Sequence, residues 1–485
     1  MNPDGLQGDA VKRLSVGLKL SYGSGQAVDA VLQGGVNVFL LFYLTAVCGM
    51  SGAAAGSVLF ISLGVDAVLD PLIGQLSDNW RSRLGRRLPF MIAALLPMMA
   101  AAVALFSIPR SLSGMTLFAY ALGLNVVLRV SISLFVLPHS ALTAELTNDY
   151  SERSVISGFR AIFLVVGTAA CVLPAFQIIF GGPGGLQSRA AYPWLGAWLA
   201  VLTLFFGLWC LLGAGRRILA LPMPRSTSWS TQTNVLGEIG RLFRNRSFVP
   251  LFIVAVLVLV GQGASGALSV HAFRFFWQLA PEQLQLPVLS IPVGMIAGTA
   301  IAALLLKRFE KRDVLVSAIL VVVVGPTLLP ILLQVGVLLP GTALSLSLLI
   351  GNGFVFGACS ALCVICFNSM IADAVDEHDH LFGVRCEALY ASTLMLGSKA
   401  ATGLGGLFAG LGLQLVGFSA AGPGSKPSPE AIAGLGVLWG PGGAVLMVVA
   451  LPILRRYKVD RKRHAEVIAS LAARRGFDEA APIAP

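Results

Sequence analysis

Apolar positions in this chain run in long blocks, broken by short clusters of Gly, Pro and charged residues, and the pattern repeats from one end to the other. A helix needs ~20 apolar residues to cross a bilayer. Read against their breaks, the blocks predict helices over 15 to 47, 53 to 77, 88 to 108, 113 to 138, 154 to 180 and 191 to 213, then 247 to 277, 285 to 306, 314 to 335, 340 to 372, 385 to 417 and 430 to 454. The expected fold is an all-α integral membrane protein with twelve transmembrane helices in two pseudo-symmetric six-helix bundles. The boundaries are an N-terminal bundle over 1 to 214, a middle linker over 215 to 246, a C-terminal bundle over 247 to 455 and a basic tail over 456 to 485. The start of the chain has no compact apolar core followed by a small-residue cleavage site, so no removable signal peptide is expected.

Composition agrees with a bilayer environment. Of 485 residues 56% are hydrophobic and only 12% charged, against roughly 25% charged in soluble domains, and mean hydropathy is +0.82. The net charge of +11 sits in short loops between apolar runs, where membrane topology explains it better than nucleic acid does. Lys and Arg accumulate on the cytoplasmic side. The basic loops are Arg81, Arg83, Arg86 and Arg87, then Lys307, Arg308, Lys311 and Arg312, together with the middle linker and the tail "RRYKVDRKRH". The opposite loops carry little beyond Arg110, Arg189 and Lys426. Both termini are therefore expected in the cytoplasm. Seven cysteines are scattered, and Cys359, Cys363 and Cys366 at helical spacing read as small packing residues without metal or disulfide.

The two halves echo each other, with basic loops after helices 2 and 8 and acid-then-arginine segments after helices 4 and 10, "AELTNDYSER" and "ADAVDEHDHLFGVR". Internal repeats of this kind mark secondary transporters, which bind substrate near the membrane midplane. A channel would show passive, non-saturating flux, and paired halves argue against it. A membrane enzyme would need a nucleophile or metal cluster at one membrane face. The nearest group is "DEHDHLFGVRCE", read as a solvated charged loop.

Ionisable residues inside the spans cost about 2.5 to 3.5 kcal/mol each on insertion scales and call for a partner or a water-filled cavity. They are Asp29, Asp66, Asp70, Arg129, Arg160, His271, Arg274 and Lys399. Asp66 and Asp70 stand four residues apart, on one helix face and ~6 Å apart along the axis. Two such carboxylates call for a bound cation, a shared proton or a basic partner. Pro71 cannot donate to the carbonyl one turn earlier, leaving another oxygen for a hard cation. Arg129 is an alternative partner. Lys399 lies ~21 Å along its helix from Arg385, about mid-membrane, where it either neutralises Asp29 or another buried acid or binds an anionic or hydroxyl-rich substrate. The Gly-rich run after it reads as close helix packing. His139 and His271 either relay protons or are satisfied helix histidines.

Four stretches, "SYGSGQAVDAVLQ", "DAVLDPLIGQLSDNWRSRLGRRLPF", "LPHSALTAELTNDYSERSVISGFRAIF" and "MIADAVDEHDHLFGVRCEALYASTLMLGSKAATGLGG", resemble the glycoside-pentoside-hexuronide:cation symporter family of the major facilitator superfamily. The resemblance implies the major facilitator fold and a symporter of a sugar, glycoside or related solute working by alternating access. It implies a coupling ion, Na+ or H+ or Li+, held by Asp66, Asp70 and Ser133, and a substrate site that includes Asp29, Arg160 and Lys399; His139, at the mouth of helix 4, is read as a further substrate-binding candidate. It also implies a cytoplasmic gate at Arg153, Asp373, Asp376, Arg385 and Glu387. Val136 and Ser140 stand where the family has a sugar-gripping acid and a stacking aromatic, and Asp29 and Ala30 where it has lysine and aspartate, which points away from a galactoside. An alternative is a lysolipid or other amphipathic or anionic solute, proton-coupled or uncoupled, with Arg129 competing for the cation site. No cofactor is implied; the expected partners are a small molecule and the bilayer, for a monomer in a bacterial inner membrane.

Overall fold

Each predicted apolar block is helical, with the ends set by local chemistry. The computed structural model describes residues 14–147, 149–182, 184–220, 240, 242–384, 386–418 and 427–480. Its long helices are α1 Val16–Gly35, α2 Gly52–Asn79, α3 Leu88–Leu105, α4 Gly114–Glu145, α5 Tyr150–Pro174, α6 Tyr192–Leu219, α7 Phe248–His271, α8 Pro281–Arg308, α9 Lys311–Gln334, α10 Ala343–Phe382 and α11 Glu387–Leu415. They are followed by α12 Pro429–Leu454 and α13 Arg461–Ala480. Side chains of Ser15, Asp149, Thr342 and Ser428 accept the first free amides of α1, α5, α10 and α12. Gly383, at φ +71°, ends α10 in a left-handed turn that a β-carbon would strain. Wider π turns extend α5 after Pro174 and interrupt α12 around Pro441, where a proline removes the amide a regular turn needs.

Among the described residues eleven helices are long and apolar enough to span a membrane. α1 is not one of them, because Lys19, Gln26, Asp29 and Gln33 lower its hydropathy. Its helical path continues through π turns to Val47, so it fills the place expected for the first of twelve spans.

One expectation changes, and the tail gains a structure. The segment after residue 372 is not a solvated loop: α10 runs on to Phe382, and His378 is 3% exposed with its Nδ1 at 3.2 Å from the Tyr390 hydroxyl. Within the basic tail, Arg461–Ala480 is a helix that buries Val467 and Leu471. In both places charged residues hide a helix from a hydropathy reading, while a few buried apolar and aromatic contacts hold it.

The chain clusters into two compact units. Unit one contains α1, the part of α2 from Val68 onward, and α3 to α6. There α1 lies close to α5, where a β-carbon on Gly167 would come within 2.8 Å of the Ala27 carbonyl oxygen. Unit two contains Leu41–Ala67 and α7 to α13. Its core includes Cys359, Cys363 and Cys366 among Val258, Val322 and Met370, so these cysteines pack as small apolar groups. The Gly-rich run of α11 makes close helix contacts: added β-carbons on Gly406 and Gly410 would meet Leu59 and the Gly52 carbonyl oxygen of α2, and one on Gly405 would meet the Val260 carbonyl oxygen of α7.

Candidate functional site

In unit one the polar residues of three helices join into one network. Tyr22, Gln26, Asp29 and Gln33 follow helical spacing on one side of α1. Gln26 Nε2 donates to Asp29 Oδ2 at 3.0 Å, while its Oε1 accepts from Arg160 of α5 at 3.2 and 2.7 Å. Arg160 also donates to Thr143 Oγ1 and Ser140 Oγ of α4, each at 3.1 Å. Thr143 is 2.7 Å from the Tyr22 hydroxyl, which donates to the His139 carbonyl. His139 stacks on Tyr22 at 4.4 Å and its Nε2 lies 2.8 Å from the Tyr22 carbonyl oxygen, at 1% exposure. Asp29, Arg160 and His139 thus come together. Ser140 is one of the network's hydroxyls, Asp29, Gln26, Arg160 and Ser140 are all partly accessible, and His139 is enclosed in the helix packing. Arg129, 3% exposed, donates to Gln33 at 3.5 Å. Asp70 and Ser133 are buried, at 8% and 5% exposure.

In unit two Lys399 Nζ meets Asp66 Oδ2 at 2.6 Å, with side-chain exposures of 20% and 5%. Asp66 is one of the buried acids that the sequence offered Lys399. An ammonium on this carboxylate is charge-equivalent to a bound monovalent cation. Pro71 lies inside α2, so the Ala67 carbonyl receives no amide from it. A second internal histidine, His271, is fully buried, with Nε2 at 2.8 Å from Thr45 Oγ1. Thr45 spends its proton on the Leu41 carbonyl at 2.8 Å, which makes the ring nitrogen the donor.

The residues expected at a gate fall into separate clusters. Arg153 donates to the Thr147 and Ala144 carbonyls at 3.0 and 3.1 Å, closing the end of α4. Asp373 accepts Lys311 at 2.7 and 2.8 Å, and His464 of α13 lies 3.5 Å from Asp373 and 3.2 Å from Asp376. Glu387 opens α11; Arg385 lies outside the described residues. Unit one has a counterpart that sequence reading did not single out: Lys19–Glu152 at 2.8 Å, and Arg87 on Glu145 at 2.9 Å, Asp78 at 2.6 Å and Ser77 at 3.0 Å. Arg87 and Lys311 both follow an even-numbered helix, and both reach an acid near the end of the helix two further on. That repeat is visible in the sequence once basic loops are aligned with the acids at residues 145 and 373. Arg87→Ala is expected to cost about 1 to 2 kcal/mol, because Asp78 is half-exposed and Arg86, at 2.8 Å, keeps Glu145 partnered. A thermal-denaturation midpoint measures it.

Tyr22, Gln26, Thr143 and His464 are not singled out by the sequence reading. The α1 stripe could have revealed the first two, and the α4 face continuing from Arg129 through Ser133 and Ser140 the third. His464 gave no local signal.

The sequence profile described as MFS/sugar transport protein matches residues 21–461. An isoprimeverose transporter of Lactiplantibacillus pentosus is 25% identical over 439 residues, 89% of this chain and 87% of its own length. An uncharacterized symporter of Synechocystis sp. is 35% identical over 208 residues, 42% of this chain and 38% of its own. Among solved structures, a nucleoside transporter superposes with a TM-score of 0.64 at 16% identity, covering 91% of this chain and 100% of that one.

Proposed function

This chain belongs to the MFS/sugar transport protein family, and from that premise we propose that it carries a sugar or glycoside together with a cation by alternating access. It is a multi-pass integral membrane transporter, not an enzyme. Sugar transport by the family, and relatives that are a symporter and an isoprimeverose transporter, support the substrate class and the coupling. The observation that carries the mechanism is the Lys399–Asp66 pair at 2.6 Å, one helical turn from Asp70 on α2.

In this reading Asp66, Asp70 and Ser133 hold Na+ or H+, and Lys399 neutralises Asp66 when the ion is absent. The cation drives uptake only by raising the affinity of one state for substrate. Release of Lys399 by the cation supplies such a link, freeing an ammonium for the hydroxyls or carboxylate of the substrate. Asp29, Arg160 and the Ser140 hydroxyl offer one acceptor, one guanidinium and one neutral donor for a polyhydroxy ligand, with His139 supporting Tyr22 behind them. Arg129 tunes the cation site from α4. The gate consists of Arg153, Asp373, Asp376, Arg385 and Glu387. The moving bodies are the bundles 1–214 and 247–455, joined by 215–246, with the tail 456–485. The basic loops support a reading with both termini in the cytoplasm, for a bacterial inner-membrane protein acting as a monomer.

Two measurements test it. Thermal stability of the purified protein against sugars, glucuronides and lysolipids, each with and without Na+, should show a sugar that stabilises more when Na+ is present. Stabilisation only by lysolipids would overturn the sugar assignment. Asp70→Asn should abolish the cation-dependent part of that stabilisation while leaving the protein folded; unchanged cation dependence in this variant would remove Asp70 from the site.

A further inference from the structure

Beyond the transport path, the end of unit two holds a cleft of about 500 Å³ where the chain leaves α12 and enters α13. Its lining includes Lys311, Arg312, Arg455, Lys458, Arg461 and His464. Three carboxylates, Glu310, Asp373 and Asp460, share that lining, so with His464 neutral the cleft keeps an excess of two positive charges.

All three acids are already engaged. Asp373 takes Lys311 at 2.7 Å, Glu310 faces Arg461 at 3.6 Å, and Asp460 accepts the Arg463 amide at 2.8 Å as the cap of α13. Arg461 is also fixed by the Leu306 and Phe309 carbonyls, each at 2.7 Å. Among the described residues Arg455 and Lys458 have no ion pair, and Arg312 has only its neighbour Asp313 at 3.7 Å. The loop carrying Arg455 and Lys458 is held from below, because Tyr457 and Val459 are 3% and 5% exposed. Burial, with the Asp373 and Glu377 carboxylates nearby, raises the pKa of the Tyr457 phenol well above its ordinary range, so the hydroxyl stays neutral and donates to the Met370 carbonyl at 3.3 Å. Arg455 and Lys458 are exposed on this anchored strap and line the cleft.

We propose that this cleft is a second binding site of the protein, for a phosphate-bearing anion held by Arg312, Arg455 and Lys458. Guanidinium and ammonium groups converging from α9 and the α12–α13 connection suit the several oxygens of a phosphate better than a single-point anion. The volume accommodates a phosphate with a small organic group attached. The cleft lies at the ends of α8 and α12, both membrane-spanning, so a phospholipid headgroup and a free phosphate ester present the same chemistry to it. Lys311 on its inner wall ties the site to Asp373 of the gate: an anion that draws on Lys311 weakens that pair.

The test uses the full chain and the Arg455→Gln/Lys458→Gln double variant, with Lys462→Gln, exposed and outside the cleft, as control. In detergent, inorganic phosphate is compared with sodium chloride at matched ionic strength; in lipid, phosphatidylglycerol vesicles are compared with phosphatidylcholine vesicles. A rise in melting temperature of at least about 2 °C in either arm, lost in the double variant and kept in Lys462→Gln, is the expected result. A rise in the detergent arm identifies a soluble phosphate ester, and a rise only with phosphatidylglycerol identifies a lipid headgroup. Equal behaviour of phosphate and chloride together with equal behaviour of the two lipids, or a shift that survives in the double variant, overturns the proposal. Each variant is compared with its own chloride or phosphatidylcholine baseline, so an altered basal stability does not affect the outcome.

Discussion

Lys399→Gln is expected to abolish coupled transport and to lower stability by about 2 to 3 kcal/mol, and adding Asp66→Asn is expected to recover most of that stability. Lys399 sits 2.6 Å from a carboxylate with 5% side-chain exposure. Removing one partner of a fully buried pair costs about 3 to 5 kcal/mol, because the remaining charge is left desolvated. The lysine is one-fifth exposed, so water reaches the pair and the cost falls below that range. Asp70, one turn away, adds repulsion once the ammonium has gone. Removing the second charge relieves both terms, so the two substitutions should be strongly non-additive in a double-mutant cycle of melting temperatures. A saturating coupling cation should also rescue Lys399→Gln, by occupying the place of the ammonium. Additive losses, with no cation rescue, would show that the pair is incidental.

Gly298→Val is expected to prevent assembly of unit two, at a cost of about 3 kcal/mol or more. α8 and α10 meet through reciprocal glycines, Gly294 and Gly298 on one, Gly353 and Gly357 on the other, the spacing that allows close backbone approach in membranes. An added β-carbon at Gly294 would meet the Phe354 carbonyl oxygen, at Gly298 that of Ala358, at Gly353 that of Pro287 and at Gly357 that of Ile291. Backbone cannot rotate away as a side chain does, so the helices must separate and lose their contacts along the whole seam. Gly351→Ala makes the contrast, since nothing lies within 4 Å of a β-carbon there and alanine is the better helix former by about 0.5 to 1 kcal/mol. The fraction of monodisperse protein after extraction, with its melting temperature, distinguishes them. Equal behaviour of Gly298→Val and Gly351→Ala would refute the seam.

The hydrophobic pattern alone determined that this is a membrane protein, where its spans lie, apart from the charged C-terminal ends of α4 and α10, and that Asp66 and Asp70 share a helix face. Those facts are local: a span is an apolar block of sufficient length, and a helix face follows from 3.6 residues per turn. The α1 stripe from Tyr22 to Gln33 was equally local and readable. Other features were decided by how the helices cross. As a sequence Lys399 has several buried acids open to it, and it is the approach of α11 to the start of α2, through Gly406, Gly410 and Gly56, that brings it to Asp66. His464 meets Asp373 and Asp376 because Val467 and Leu471 are buried and hold α13 in place. In low dielectric an ion pair is worth its desolvation only at short range and in good geometry, and that geometry is set by tertiary packing between residues hundreds of positions apart.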